Sequence, residues 1–217
     1  MALTRLGGAN AITGIIPVAN GGIGIASGTT DQFLKFTGTT TLASAADNAG
    51  GLNFISNTTL SSAGYLDIDN VFSSTYQNYR IIGSGLNMAT DNTYWMFKLK
   101  NSSGVEGSSY WWAGVGQRDS GSAVDDGDTD TGHWRIITNA ANTGQATNFD
   151  MTVYRPQASL YTSYTCVAGG RRSGGGAQNL VTGGYQNTTT SYTGFRILLG
   201  AGNISAGNIS VYGIKDS

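Results

Sequence analysis

The chain has 217 residues, including 33 glycines and two prolines, with 12% charged residues and a formal net charge of −1. Such a balance excludes the basic face of a nucleic-acid binder, and no apolar run approaches the roughly 20 residues of a membrane helix. One cysteine excludes an internal disulfide, and one cysteine with one histidine leaves no zinc spacing unless aspartates dominate the ligands.

Glycine is a poor helix former, and the better helix former glutamate occurs once, at Glu106. Thr and Tyr favour strands, while Asn, Gly and Ser favour turns. The composition predicts an all-β protein with many tight turns. No helix longer than about two turns is expected, and Thr41–Asn48 is the stretch with room for a short one.

The first 53 residues contain no Trp or Tyr, and their aromatics are Phe33 and Phe36. The stretch from Ile15 and Ile16 through Pro17, Val18, Ala19 and Asn20 to Gly21 and Gly22 is uncharged and apolar. So few large side chains cannot offset the entropy of ordering the segment. Low charge and recurring Ile and Val also argue against disorder. The segment is therefore expected to be buried among copies of itself or against a partner. Met1-Ala-Leu-Thr-Arg5 lacks the pattern of a secretion signal.

From Phe54 onward the chain is aromatic, and a head domain is expected over 54–217. Predicted strands cover Tyr65–Phe72, Tyr79–Ile82, Tyr94–Lys100, Ser109–Ala113, Trp134–Thr138 and Phe149–Tyr154. Further strands cover 161–168, 179–184, 195–199 and 209–214. In Tyr94–Lys100, alternation puts Trp95, Phe97 and Leu99 on one face and Tyr94, Met96, Lys98 and Lys100 on the other. Many short strands with turn signals between them predict an antiparallel β-sandwich of jelly-roll type. The near-pairs Lys98/Lys100 and Arg171/Arg172 read as solvated strand and loop ends. The related stretches Gly202–Ser205 and Gly207–Ser210 read as a turn leading into the last strand.

Candidate chemistry is sparse. Asp125, Asp126, Asp128 and Asp130 surround Gly127, and oxygen ligands on a bent loop suit Ca²⁺. No glutamate closes the loop, so an acidic hairpin tip that keeps the surface soluble is the favoured reading, with no metal or other cofactor required. In Tyr110-Trp111-Trp112, strand geometry points Trp111 one way and its neighbours the other. His133-Trp134 is the second aromatic site. Tyr110, Trp111, Trp112, His133 and Trp134 are either partner-binding rings or core on a doubly covered strand. Cys166 reads as a buried apolar residue. There is no glycosidase glutamate pair and no phosphate loop, since Gly21–Gly24 and Gly174–Gly176 lack the following Lys-Ser/Thr. The expectation is a protein that is not an enzyme.

Ile16-Pro-Val-Ala-Asn-Gly-Gly-Ile-Gly24 resembles the Pro-x-Ala-Asn-Gly-Gly-Thr-Gly segments of bacteriophage tail fibre and related virion proteins, with Ile23 where Thr is usual. Asp31–Gly38 is similar to the linker strands that follow such segments. Phe72–Ile82 resembles the first strands of phage appendage heads, and Ile209–Lys215 their closing strand. The resemblance implies a homotrimer, with residues 1–53 as a virion attachment or trimer segment and a head that binds a host-surface glycan or protein. A capsid fibre or decoration protein is the alternative, and a glycan-degrading tailspike is a third reading. Localisation in the virion, without nucleic-acid contact or membrane insertion, is implied. A receptor binder of this plan is expected to display an aromatic or polar patch at the end of the head away from the N-terminal segment.

Overall fold

The computed structural model describes residues 33–36, 42–45, 51–142, 144 and 147–215. The chain divides into two units, Met1–Ala49 and Gly50–Ser217. In the first, β1 (Phe33–Phe36) pairs antiparallel with β2 (Leu42–Ala45), Phe33 opposite Ala45 and Phe36 opposite Leu42. A strand thus stands where Thr41–Asn48 had room for a short helix. An isolated helix of so few residues is marginal, because nucleation costs more than its few hydrogen bonds return. Phe33, Leu34 and Phe36 are all exposed. The candidate attachment residues Ile15, Ile16, Pro17, Val18, Ala19, Asn20, Gly21 and Gly22 lie outside the described residues.

The second unit is all β among the described residues. Its strands are β3 (Leu52–Thr59), β4 (Tyr65–Ile68), β5 (Asn78–Met88), β6 (Thr93–Asn101), β7 (Gly104–Val105) and β8 (Tyr110–Arg118). They continue with β9 (Ala123–Thr131), β10 (Trp134–Ala140), β11 (Thr147–Tyr154), β12 (Thr162–Arg171), β13 (Ala177–Gln186), β14 (Gly194–Leu199) and β15 (Ile204–Ile214). The larger sheet runs β3-β15-β5-β11-β12-β13-β8-β9. The smaller runs β10-β6-β14-β4, with β7 added beside β6. The pairings are antiparallel throughout.

The two sheets meet through their aromatic inner faces, as in a β-sandwich. Trp95, Phe97 and Leu99, one face of β6, are fully buried. The Phe97 ring stacks on Phe195 at 4.8 Å and on Trp134 at 5.8 Å. Trp134 of the smaller sheet stacks on Tyr164 of the larger at 4.4 Å. Next to it, the Arg135 carbonyl accepts hydrogen bonds from the Tyr164 hydroxyl at 3.2 Å and the Thr182 hydroxyl at 3.1 Å. Buried polar groups need such partners, so these bonds set the register of one sheet on the other.

The register also defines two ends. Leu52, Ile214, Asn78, Tyr154, Ser163, Tyr185 and Trp111 follow one another strand by strand across the larger sheet. Because β3 begins at Leu52, this row marks the end at which the chain enters the sandwich. The turns after β5, β8, β12 and β14 lie at the opposite end.

Candidate functional site

The five candidate rings separate by strand parity. Tyr110 and Trp134 are 0% exposed and Trp112 is 4% exposed, whereas Trp111 is 36% exposed. Tyr110, Trp112 and Trp134 are thus core residues, so of the two readings left open by the sequence the core one holds for them, and they drop out as receptor candidates. The cause is β10, which covers the inner faces of β8, β12 and β13. The Tyr110 hydroxyl donates to the Glu106 carbonyl at 3.4 Å and accepts from the Leu99 backbone N–H at 2.8 Å.

His133 is partly buried against Tyr94, ring over ring at 6.1 Å. Loss of water and the nearby Arg135 guanidinium pull its pKa down to about 4, so it is neutral near pH 7. Cys166 lies in the core, and burial pushes its thiol well up, away from the thiolate that nucleophilic chemistry needs.

Trp111 belongs to a different group of rings. It stacks on Tyr185, its cross-strand neighbour, at 5.8 Å, and Tyr185 meets Tyr161 at 6.1 Å. All three stand on the outer face of the larger sheet, at the chain-entry end. A shallow cavity of about 290 Å³ beside them is lined by Trp111, Ala113, Asp128, Thr129, Gly183 and Tyr185, among others. Gly184 lets β13 approach β8 there, since a Cβ on it would lie 2.0 Å from the Trp111 carbonyl oxygen. The sequence signal for Tyr185 and Tyr161 is weak, because only strand pairing brings them to Trp111.

The acidic residues are not a hairpin tip. Asp125, Asp126, Asp128 and Asp130 lie along β9, an edge strand paired with β8, and the turn is formed by residues 119–122. Asp125 is opposite Val115, whereas Asp126 turns the other way to an ion pair with Arg135 at 3.4 Å. The Arg135 guanidinium also stands 3.9 Å over the Tyr94 ring. Among the described residues, no group of three or more His, Cys, Asp or Glu is placed to hold a metal ion. Charges along an edge strand oppose pairing with a foreign strand.

At the end opposite chain entry, several turns are joined by polar contacts. Asp91 accepts hydrogen bonds from the Ser173 hydroxyl at 2.7 Å and the Asn142 backbone N–H at 3.1 Å. These partners hold its carboxyl below the usual carboxylate range. Arg172 pairs with Asp119 at 3.7 Å, tying the β12–β13 turn to the β8–β9 turn. Gly174, Gly175 and Gly176 all have positive φ, near 80–90°, a region that favours glycine. A polar hollow of about 290 Å³ opens beside them, lined by Gln117, Arg118, Asp119 and Asn179, among others.

Among the described residues, no helix is long and apolar enough to cross a membrane. Neither a protein-family model nor a curated protein sequence matches the chain.

Proposed function

We propose that the chain is a structural, non-enzymatic component of a bacteriophage virion: a short tail fibre in which residues 1–53 anchor to other virion proteins and a jelly-roll-like head binds a host-surface glycan or protein. Copies associate as a homotrimer. The observation that carries this reading is the polarity of the head, in which the chain enters at one end and a set of polar, hydrogen-bonded turns stands at the other. An attached protein presents its distal loops to a target, and loops vary while the scaffold holds. The exposed Phe33, Leu34 and Phe36 of the N-terminal unit fit a segment that other copies or a virion socket cover. Three heads on one stem raise avidity even where each binds weakly.

Competition for adsorption tests this directly. The purified chain is expected to block adsorption of the phage that encodes it. Arg171→Glu, on the exposed distal end, is expected to weaken the block, whereas Trp111→Ala, at the entry end, is expected to spare it. A chain that binds purified capsids and leaves adsorption untouched is a capsid fibre or decoration protein instead. Shortening of host polysaccharide during incubation would point to a tailspike.

A further inference from the structure

Antiparallel sheets with one face in the core normally turn polar residues outward. The outer face of the larger sheet does so at Gln117, Asn179 and Thr165, but an apolar row crosses it. Val115 on β8 is opposite Val181 on β13, and Val181 is opposite Val167 on β12. These three valines are 64%, 49% and 57% exposed. The row continues through Asp150 on β11 to Ile82 on β5. Trp111, Tyr185 and Tyr161 extend the same apolar surface toward the entry end.

Charge is sparse in the middle of this face and gathers at its β9 edge, where the exposed Asp125 stands opposite Val115. In the strands from β3 to β8 across the sheet, the charged residues are Arg80, Asp150, Arg118 and Arg171, the last two at strand ends. Arg80 and Asp150 neutralise each other in a two-point ion pair. Depletion of charge with enrichment in aromatic residues is the composition of an interface centre. With strands about 4.8 Å apart and about 3.3 Å per residue, the face of β8, β13, β12, β11 and β5 covers on the order of 600 Å² in plan, near the ~800 Å² per partner of a stable interface.

We infer that this face is a contact between copies of the chain. A second copy suits it because the ion pair at its middle is already satisfied, so a contact there orphans no charge. A face that waited for a charged partner would carry unpaired charges at its middle, whereas Asp125 stands at its edge. The inference deepens the homotrimer reading by assigning self-association to the head as well as to residues 1–53, and it rests on that reading.

Sedimentation equilibrium of the full chain across a wide concentration range tests it. The wild-type chain is expected at a multiple of 22.5 kDa. Val181→Lys puts a charge at the centre of the contact and is expected to raise the subunit dissociation constant at least about tenfold. Val181→Thr, which keeps strand preference and shape, is expected to have a smaller effect in the same direction and guards against misfolding of the lysine variant. A monomeric wild-type chain, or an oligomer whose dissociation constant is the same in both variants, overturns the inference. The second result is also what coverage by the chain's own N-terminal unit or by a host molecule would give. A chain that associates through this face and fails to compete for adsorption sinks the receptor reading alone. A monomer that competes sinks the inference and the homotrimer and leaves the receptor reading standing.

Discussion

The two outer faces of the sandwich solve the same problem in opposite ways. On the smaller sheet, Asp67 takes Arg196 at 2.6 Å and Lys100 at 2.9 Å, and Lys100 reaches Asp69 at 2.7 Å. The Arg196 guanidinium covers the Tyr65 ring at 3.6 Å. That face sets its own charges against its rings, with Tyr65 still half exposed. On the larger sheet, Val115, Val167 and Val181 are left bare beside a single internal ion pair. Both faces belong to one chain with one core, so the difference is not a matter of overall composition. It leaves one face set with its own charges and the other with an exposed apolar row, which is where the inferred contact between copies falls.

The contrast depends first on the core that holds the faces apart. Phe97→Ala removes a ring stacked between Phe195 and Trp134. The expected loss is about 3–5 kcal/mol, read as a fall in the denaturant midpoint at unchanged slope. Gly184→Ala forces a methyl against the Trp111 carbonyl and is expected to cost about 1–3 kcal/mol. If either variant melts like the wild type, the packing described between the sheets is wrong.

Acid sharpens the comparison, since charge networks belong to the smaller sheet and its margin. Burial and Arg135 depress the His133 pKa to about 4 from 6.5. The unfolded chain therefore binds the extra proton as pH falls from 6.5 to 4, and stability declines over that window. His133→Gln is expected to remove about 1–2 kcal/mol of that decline. The Arg196 and Lys100 partners lower the Asp67 pKa from 3.8 to about 2. Its stabilisation is complete above pH 3.8 and is lost as pH falls toward 2. Asp67→Asn is expected to cost about 1 kcal/mol near neutrality, allowing for partial exposure, and to flatten the acid limb.

The smallest expected effect is also informative. Val181→Lys changes an exposed side chain and is expected to move the stability of the isolated subunit by no more than about 0.5 kcal/mol, while association weakens. A large loss of subunit stability would mean that Val181 is covered within its own chain.

Much of the scaffold was legible in the residues. Alternation in Tyr94–Lys100 predicted that Trp95, Phe97 and Leu99 share a face, and all three are core. The same parity separates Trp111 from Tyr110 and Trp112. What was not legible depended on partners far away in sequence. The β9 segment, rich in Asp, has poor strand propensity and forms a strand because β8 supplies its ladder. Leu42–Ala45 took a strand because β1 was available to pair with it. Gly207 falls inside β15, where the ladder slips its register, and not in a turn before the strand. Val115, Val167 and Val181 each look unremarkable in sequence, and only the register of β8, β13 and β12 lines them up. Likewise, the distal polar turns carry no motif, since their contacts join Asp91, Ser173, Arg172 and Asp119 from separate hairpins.

The most direct test is hydroxyl-radical labelling of the full chain over a dilution series. Tyr161 and Tyr65 are 52% and 50% exposed, one beside each outer face, so a single chain would label them alike. The account predicts that Tyr161 and Val181 become protected as concentration rises while Tyr65 labels at a constant rate. Equal labelling of the two tyrosines at every concentration would contradict it.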